Sequence, residues 1–122
     1  MSLLKLSTQL LKECDDCIIR FETYREIDKD PDFFNDVKPH AYQIDALLQE
    51  WEELVRKWIQ TKRPKYVHPT QVDSLEESMK QFIVQSYYKG TSKKRFLKSV
   101  HSSKYTIETI IQAIREVGDE FA

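Results

Sequence analysis

Lys62-Arg63-Pro64-Lys65-Tyr66-Val67-His68-Pro69 interrupts a chain that is otherwise helical in pattern, and reading it as a turn fixes the rest of the architecture. Proline locks its own backbone and disfavours helix in the residue before it, so Pro64 and Pro69 stiffen the stretch, and Arg63 and His68 are expected extended. Tyr66 and Val67 are expected to plug the end of a bundle. Upstream, Ile44, Leu47, Trp51, Leu54 and Trp58 recur at steps of three and four, widened by Leu48, Val55 and Ile59, which predicts a helix over about 39–62. Pro39 suits its first turn, where the missing N–H costs nothing. The two tryptophans share the apolar face and read as packing rather than as an aromatic binding surface, given the area each ring buries.

Downstream, Val72, Leu75, Met79 and Phe82, joined by Ile83 and Tyr87, predict a helix over about 69–89, with Asp73 near its positive end. Gly90 is read as the left-handed stop and Thr91 or Ser92 as the cap of the next helix. Phe96, Val100, Ser103, Ile107, Ile110, Ile114, Val117 and Phe121 keep the alternation without a slip, giving a fourth helix over about 92–120. Leu3, Leu6, Leu10, Cys14, Cys17, Phe21 and Tyr24 give a first helix over about 2–27. The acidic, proline-containing run Asp28–Asp36 connects the first helix to the second, with Phe33 and Phe34 expected to tuck over the bundle end. One apolar stripe per helix and three turn-sized links predict an all-α, up-down-up-down antiparallel four-helix bundle occupying residues 1–122 as one domain.

Composition agrees with this reading and excludes several functions. The 122 residues are 40% apolar and 32% charged with two glycines and four prolines, too apolar for disorder and too poor in turn residues for an all-β fold. A net charge of -1 provides no global field to hold nucleic acid or an acidic membrane, and no apolar run has the roughly 20 residues of a membrane span. With no long apolar N-terminal region and two cysteines, the expectation is a cytoplasmic protein.

The candidate chemistry is sparse. Cys14 and Cys17 have redox or zinc spacing, but they lie mid-helix on the apolar stripe and have no second ligand pair, so they read as inert buried thiols. A carboxylate-bridged metal centre would need Glu-x-x-His motifs, which do not occur, and the acids are assigned to solvent faces. His40, His68 and His101 fall on separate segments and read as capping or surface groups. No nucleophile elbow, implied His-acid pair or glycine-rich phosphate loop is present. The expectation is a protein without catalytic activity, metal or cofactor.

Two basic clusters remain: Lys62, Arg63 and Lys65 beside Tyr66, and Lys89, Lys93, Lys94, Arg95 and Lys98 beside Tyr87, Tyr88 and Phe96. Basic residues interleaved with aromatics can grip a single strand. The predicted topology puts them at opposite ends, about 30 Å apart, as two patches rather than one groove. It also places acids at each end: Glu26, Asp28, Asp30, Asp32 and Asp36 near the second cluster, and Glu116, Asp119 and Glu120 near the first. Internal charge matching is therefore preferred over nucleic-acid binding.

Arg63-Pro64-Lys65-Tyr66-Val67-His68, followed by Gln85-Ser86-Tyr87 and Lys93-Lys94-Arg95-Phe96, resembles the YppE-like family of small uncharacterised bacterial proteins. The resemblance spans nearly the whole chain, though residues 2–39 match mainly in length and pattern. It implies a four-helix bundle and a Gram-positive source, and it carries over no activity and no site residue. The functional expectation is an interaction or adaptor module with a protein partner, through a candidate surface of Arg63, Lys65, Tyr66, His68, Lys93, Lys94 and Arg95. Weak nucleic-acid binding by the Lys89–Lys98 patch is the alternative. A third reading places proton transfer at the linker through His68 and Tyr66.

Overall fold

The stripes read from the sequence become the buried faces of four α-helices: α1 (Leu3–Glu26), α2 (Lys38–Lys62), α3 (Pro69–Gln85) and α4 (Lys93–Val117). The computed structural model describes residues 2–118, and among these there is no strand. α4 ends at Val117, short of the expected residue 120, because Gly118 leaves the helical path at φ 84; the expected stripe residue Phe121 and the acids Asp119 and Glu120 lie outside the described residues.

Residue pairs across the helices run in opposite directions. Ser7 and Glu13 of α1 meet Trp51 and His40 of α2, and Glu22 and Asp15 of α1 meet Lys93 and Lys104 of α4; Arg56 of α2 meets Asp73 of α3. Each helix thus lies beside its chain neighbours, and α1 packs against α4 to close the ring. The core is continuous from Leu3, Leu6 and Leu10 through Trp51, Trp58 and Met79 to Phe21, Phe82 and Phe96. Phe21 stacks on Phe96 at 4.3 Å between ring centroids, and Phe82 meets Phe96 edge-on. Both tryptophans are core, as expected, and both satisfy their ring N–H: Trp51 donates to Ser7 Oγ at 2.9 Å and Trp58 to the Gly118 carbonyl at 2.7 Å.

Several local expectations are corrected. α3 stops at Gln85, four residues early, because Tyr87 and Tyr88 donate to the carbonyls of Val84 and Gln85 at 3.1 and 3.0 Å, tightening the end into i-to-i−3 turns. That path needs no left-handed glycine, and Gly90 has no positive φ; Gly118 does, at φ 84, but with ψ 162 it is not left-handed helical. The first connection is not irregular throughout: Phe33–Val37 forms a π-helical turn running into α2, capped by Asp32, which accepts from Asn35 N at 3.0 Å. Phe33 and Phe34 are exposed rather than tucked in, and Val37 is the residue of this turn that is buried.

Candidate functional site

The linker after α2 is built by two opposing demands. The end of α2 has to satisfy its carbonyls, and Arg63 does so in the left-handed conformation (φ 45, ψ 55), donating its N–H to Ile59 O at 2.9 Å. This overrides the extended backbone expected before Pro64. Pro64 and Val67 are buried, while His68 is extended as expected and starts α3 by donating its N–H to Gln71 Oε1 at 2.8 Å. Between them Tyr66 is forced to φ 66 with 77% of its surface exposed, so Val67 alone plugs the bundle and Tyr66 does not.

Tyr66 lines the same surface as Tyr105 of α4, itself 74% exposed. On one side of these two residues is a cavity of about 320 Å³ walled by Lys65, Gln112 and the carboxylates Glu108 and Glu116. A second, of about 330 Å³, is closed by His68, Gln71 and Thr109. The fold therefore gathers Lys65, Tyr66 and His68 into one groove with α4, whose Tyr105 was not among the residues expected there. Arg63 does not line it. His68 and Tyr66 share a cavity, yet neither has an ion pair or hydrogen bond to a carboxylate among the described residues.

Lys93, Lys94 and Arg95 lie at the other end of the bundle, as the topology predicts. Charge matching there is partial. Lys89 pairs with Asp28 at 2.7 Å and Asp30 at 3.7 Å, holding the Asp28 carboxyl below its usual range through their hydrogen bond. Lys93 lies 3.4 Å from Glu22. Lys94, Arg95 and Lys98 form no ion pair among the described residues, and neither do Lys62, Arg63 and Lys65. At this end the aromatic partners imagined for single-strand stacking are mostly spent on packing: Phe96 and Tyr87 are buried, and Tyr88 is at the surface.

A polar cluster in the interior corrects the assignment of all acids to solvent. Glu13 is buried on α1, and its Oε1 lies 2.6 Å from His40 Nε2 and 3.6 Å from Arg20 Nη1. The carboxylate only accepts, so His40 Nε2 carries the hydrogen, and the 3.4 Å approach of Arg20 Nη2 to that nitrogen is a contact rather than a bond. Arg20 instead donates to Ser86 Oγ at 2.9 Å and covers the Tyr87 ring at 4.7 Å. Ser86 Oγ in turn donates to Ile83 O at 2.6 Å. Desolvation raises the Tyr87 hydroxyl above its usual range. Every buried side-chain polar atom among the described residues has a partner, and the Ser86 hydroxyl is committed to the Ile83 carbonyl. The spacing held a trace of this cluster. Glu13, Cys17 and Arg20 stand at i, i+4 and i+7, a second face of α1 beside the leucine stripe.

Cys14 and Cys17 are buried and free, as expected; burial pushes the Cys14 thiol up to about 12 and raises Cys17 as well. No three His, Cys, Asp or Glu residues cluster to hold a metal ion among the described residues.

Together the helices, the proline-braced linker and the partnered interior define an all-α bundle whose irregular surface features sit at its two ends. Residues 7–114 match the model of a bacterial domain of unknown function, DUF1798, and the chain belongs to that family. It is 28% identical to the uncharacterised protein YppE of Bacillus subtilis over 109 residues, 89% of each chain. The YppE crystal structure matches at a TM-score of 0.89 over 93% of each chain. A Listeria innocua protein of unknown function matches at 0.90 with 25% identity, covering 98% of this chain and 96% of its own. A Staphylococcus aureus DUF1798 domain, 24% identical and matching at 0.83 over 92% and 95%, shares the fold. No helix among the described residues is long and apolar enough to cross a membrane.

Proposed function

We propose that the protein is a non-enzymatic interaction module that holds a segment of a protein partner in the groove between the linker and α4. The observation that carries this reading is Tyr66, a bulky residue kept at φ 66 with its ring 77% exposed. Left-handed backbone costs an ordinary L-residue about 1–2 kcal/mol, and glycine or asparagine would take the position more easily. A conformation that disfavours folding, at a residue whose ring the fold scarcely covers, is a mark of function. Exposed tyrosines are also common anchors at interfaces, because a stiff, amphipathic ring buries much area at little entropy cost.

The test is a photo-crosslinking side chain at position 66, followed by binding of the captured protein in purified form. Tyr66→Ala and Tyr105→Ala should each weaken that binding at least tenfold while the helical circular dichroism is unchanged. A purified partner that binds these variants as well as the wild type, or the absence of any adduct, would remove the proposal.

A further inference from the structure

The cleft between α3 and α4 at the other end of the bundle has a different chemistry from the groove above. It encloses about 470 Å³ and is lined by Gln81 and Gln85 of α3, Thr91 and Ser92 of the link, and Arg95, Lys98 and Ser99 of α4. No carboxylate lines it. The cleft between α2 and α3 is the opposite case, with Glu52, Asp73, Glu76 and Glu77 around Lys80. Arg95 and Lys98 form no ion pair among the described residues. From Lys93 to Ile107 α4 contains no acid, so neither Arg95 nor Lys98 has a carboxylate one turn away, and α3 faces them with glutamines.

This arrangement works against folding. Lys93, Lys94 and Arg95 occupy the first turn of α4, where the helix dipole disfavours positive charge; Lys93 meets Glu22 of α1, while Lys94 and Arg95 have no ion pair among the described residues. Lys94 and Lys98 stand four apart as like charges. Several other cations do meet acids, as in Lys12–Asp16, Lys80–Glu76 and Lys104–Asp15. A local conflict that folding does not repay marks a site retained for something else.

We propose that this cleft binds the phosphate group of a phosphomonoester ligand. Arg95 and Lys98 supply the charge, and the guanidinium can engage two phosphate oxygens at once. The Ser92 hydroxyl accepts from Arg95 N at 3.5 Å and keeps its own hydrogen for the ligand, as does Ser99; Thr91 already donates to Gln85 O at 3.2 Å and serves as wall. With Tyr87 and Phe96 buried, the cleft lacks the stacked platform that a single-stranded nucleic acid requires. It fits a compact dianion.

The experiment is a two-dimensional amide NMR titration of the full chain with inorganic phosphate, O-phosphoserine, a phosphoserine decapeptide, its unphosphorylated twin and a thymidine oligonucleotide. Phosphate and phosphoserine should shift amides within residues 81–99. Arg95→Gln with Lys98→Gln should weaken phosphoserine at least tenfold, since each removes a charge-assisted hydrogen bond. That variant should melt no lower than the wild type in the absence of phosphate, which separates lost binding from lost folding. Peptide binding tenfold tighter than free phosphoserine would identify a phosphorylated protein as the source of the group, and equal binding a small phosphorylated molecule. The proposal is overturned if the unphosphorylated twin binds as well, or if the double variant still binds phosphoserine. It is overturned equally if phosphoserine shifts nothing in 81–99, or if the oligonucleotide binds tighter than phosphoserine with shifts reaching Lys62–Lys65.

Discussion

Replacing Tyr66 by asparagine should leave the protein as stable as the wild type or more so, whereas replacing it by valine should destabilise it. At φ 66 the backbone is left-handed, a conformation that asparagine tolerates and that a β-branched residue resists. Asparagine relieves about 1–2 kcal/mol of conformational cost. With 77% of the residue exposed, less than a quarter of its surface is covered. That is about 50 Å² for a tyrosine, so the packing lost is at most about 1 kcal/mol. The net change for Tyr66→Asn is therefore about 0 to 1 kcal/mol in favour of the variant. Tyr66→Val loses the same packing and keeps or worsens the backbone cost, falling about 1–2 kcal/mol below the wild type. For a chain of 122 residues an unfolding entropy of about 2.1 cal/mol/K per residue converts 1 kcal/mol into about 4 °C of melting temperature. Calorimetry and urea melts of the three proteins measure the order. If asparagine falls together with valine, Tyr66 is held by packing and the inference from strain to function is wrong.

Two further perturbations probe the interior. Glu13→Gln keeps the shape but leaves Arg20 and His40 without their counter-charge; because both retain some exposure, the cost should be about 2–3 kcal/mol, below that of breaking a fully buried pair, and a urea melt showing under 1 kcal/mol would contradict the network. The Cys14 thiol has its folded value raised to about 12 from 9.0, so the stability it contributes is complete below pH 9 and is lost as pH rises from there toward 12. Above pH 9 the wild type should lose stability faster than Cys14→Ala by up to about 1.4 kcal/mol per pH unit, a comparison in which the raised lysines cancel. Parallel pH slopes for the two proteins would refute it.

The sequence made the helices legible because each one needs only a periodic apolar face, and the stripes fix the bounds of α1 and α2 and the start of α4 within a residue. It failed where a backbone had two ways to end. Gly90 offers a left-handed stop, but the chain turned earlier so that Tyr87 could bury beside Arg20; Arg63 obeyed the cap of α2 rather than the proline after it. The Glu13 network was hidden for another reason. Its members come from three segments, and a carboxylate can be buried only when partners from elsewhere in the chain arrive to satisfy it, which periodicity within one helix does not report.

The same distinction sorts the linker. Pro64 and Val67 are buried, Arg63 closes α2 and His68 opens α3, so architecture accounts for them. Lys65 and Tyr66 contribute neither a cap nor a buried face, and the αα connection would be easier to build with asparagine or glycine at position 66. What the fold leaves unexplained at one end is a strained aromatic beside Tyr105, and at the other Lys94, Arg95 and Lys98 in the first turns of α4, with no ion pair among the described residues. Both features cost stability, and they are opposite in chemistry and set at opposite ends of the bundle. They are nevertheless joined by α4: Tyr105 follows Lys98 by seven residues, two turns along the same face and about 10 Å away, so the rigid helix fixes the distance between them.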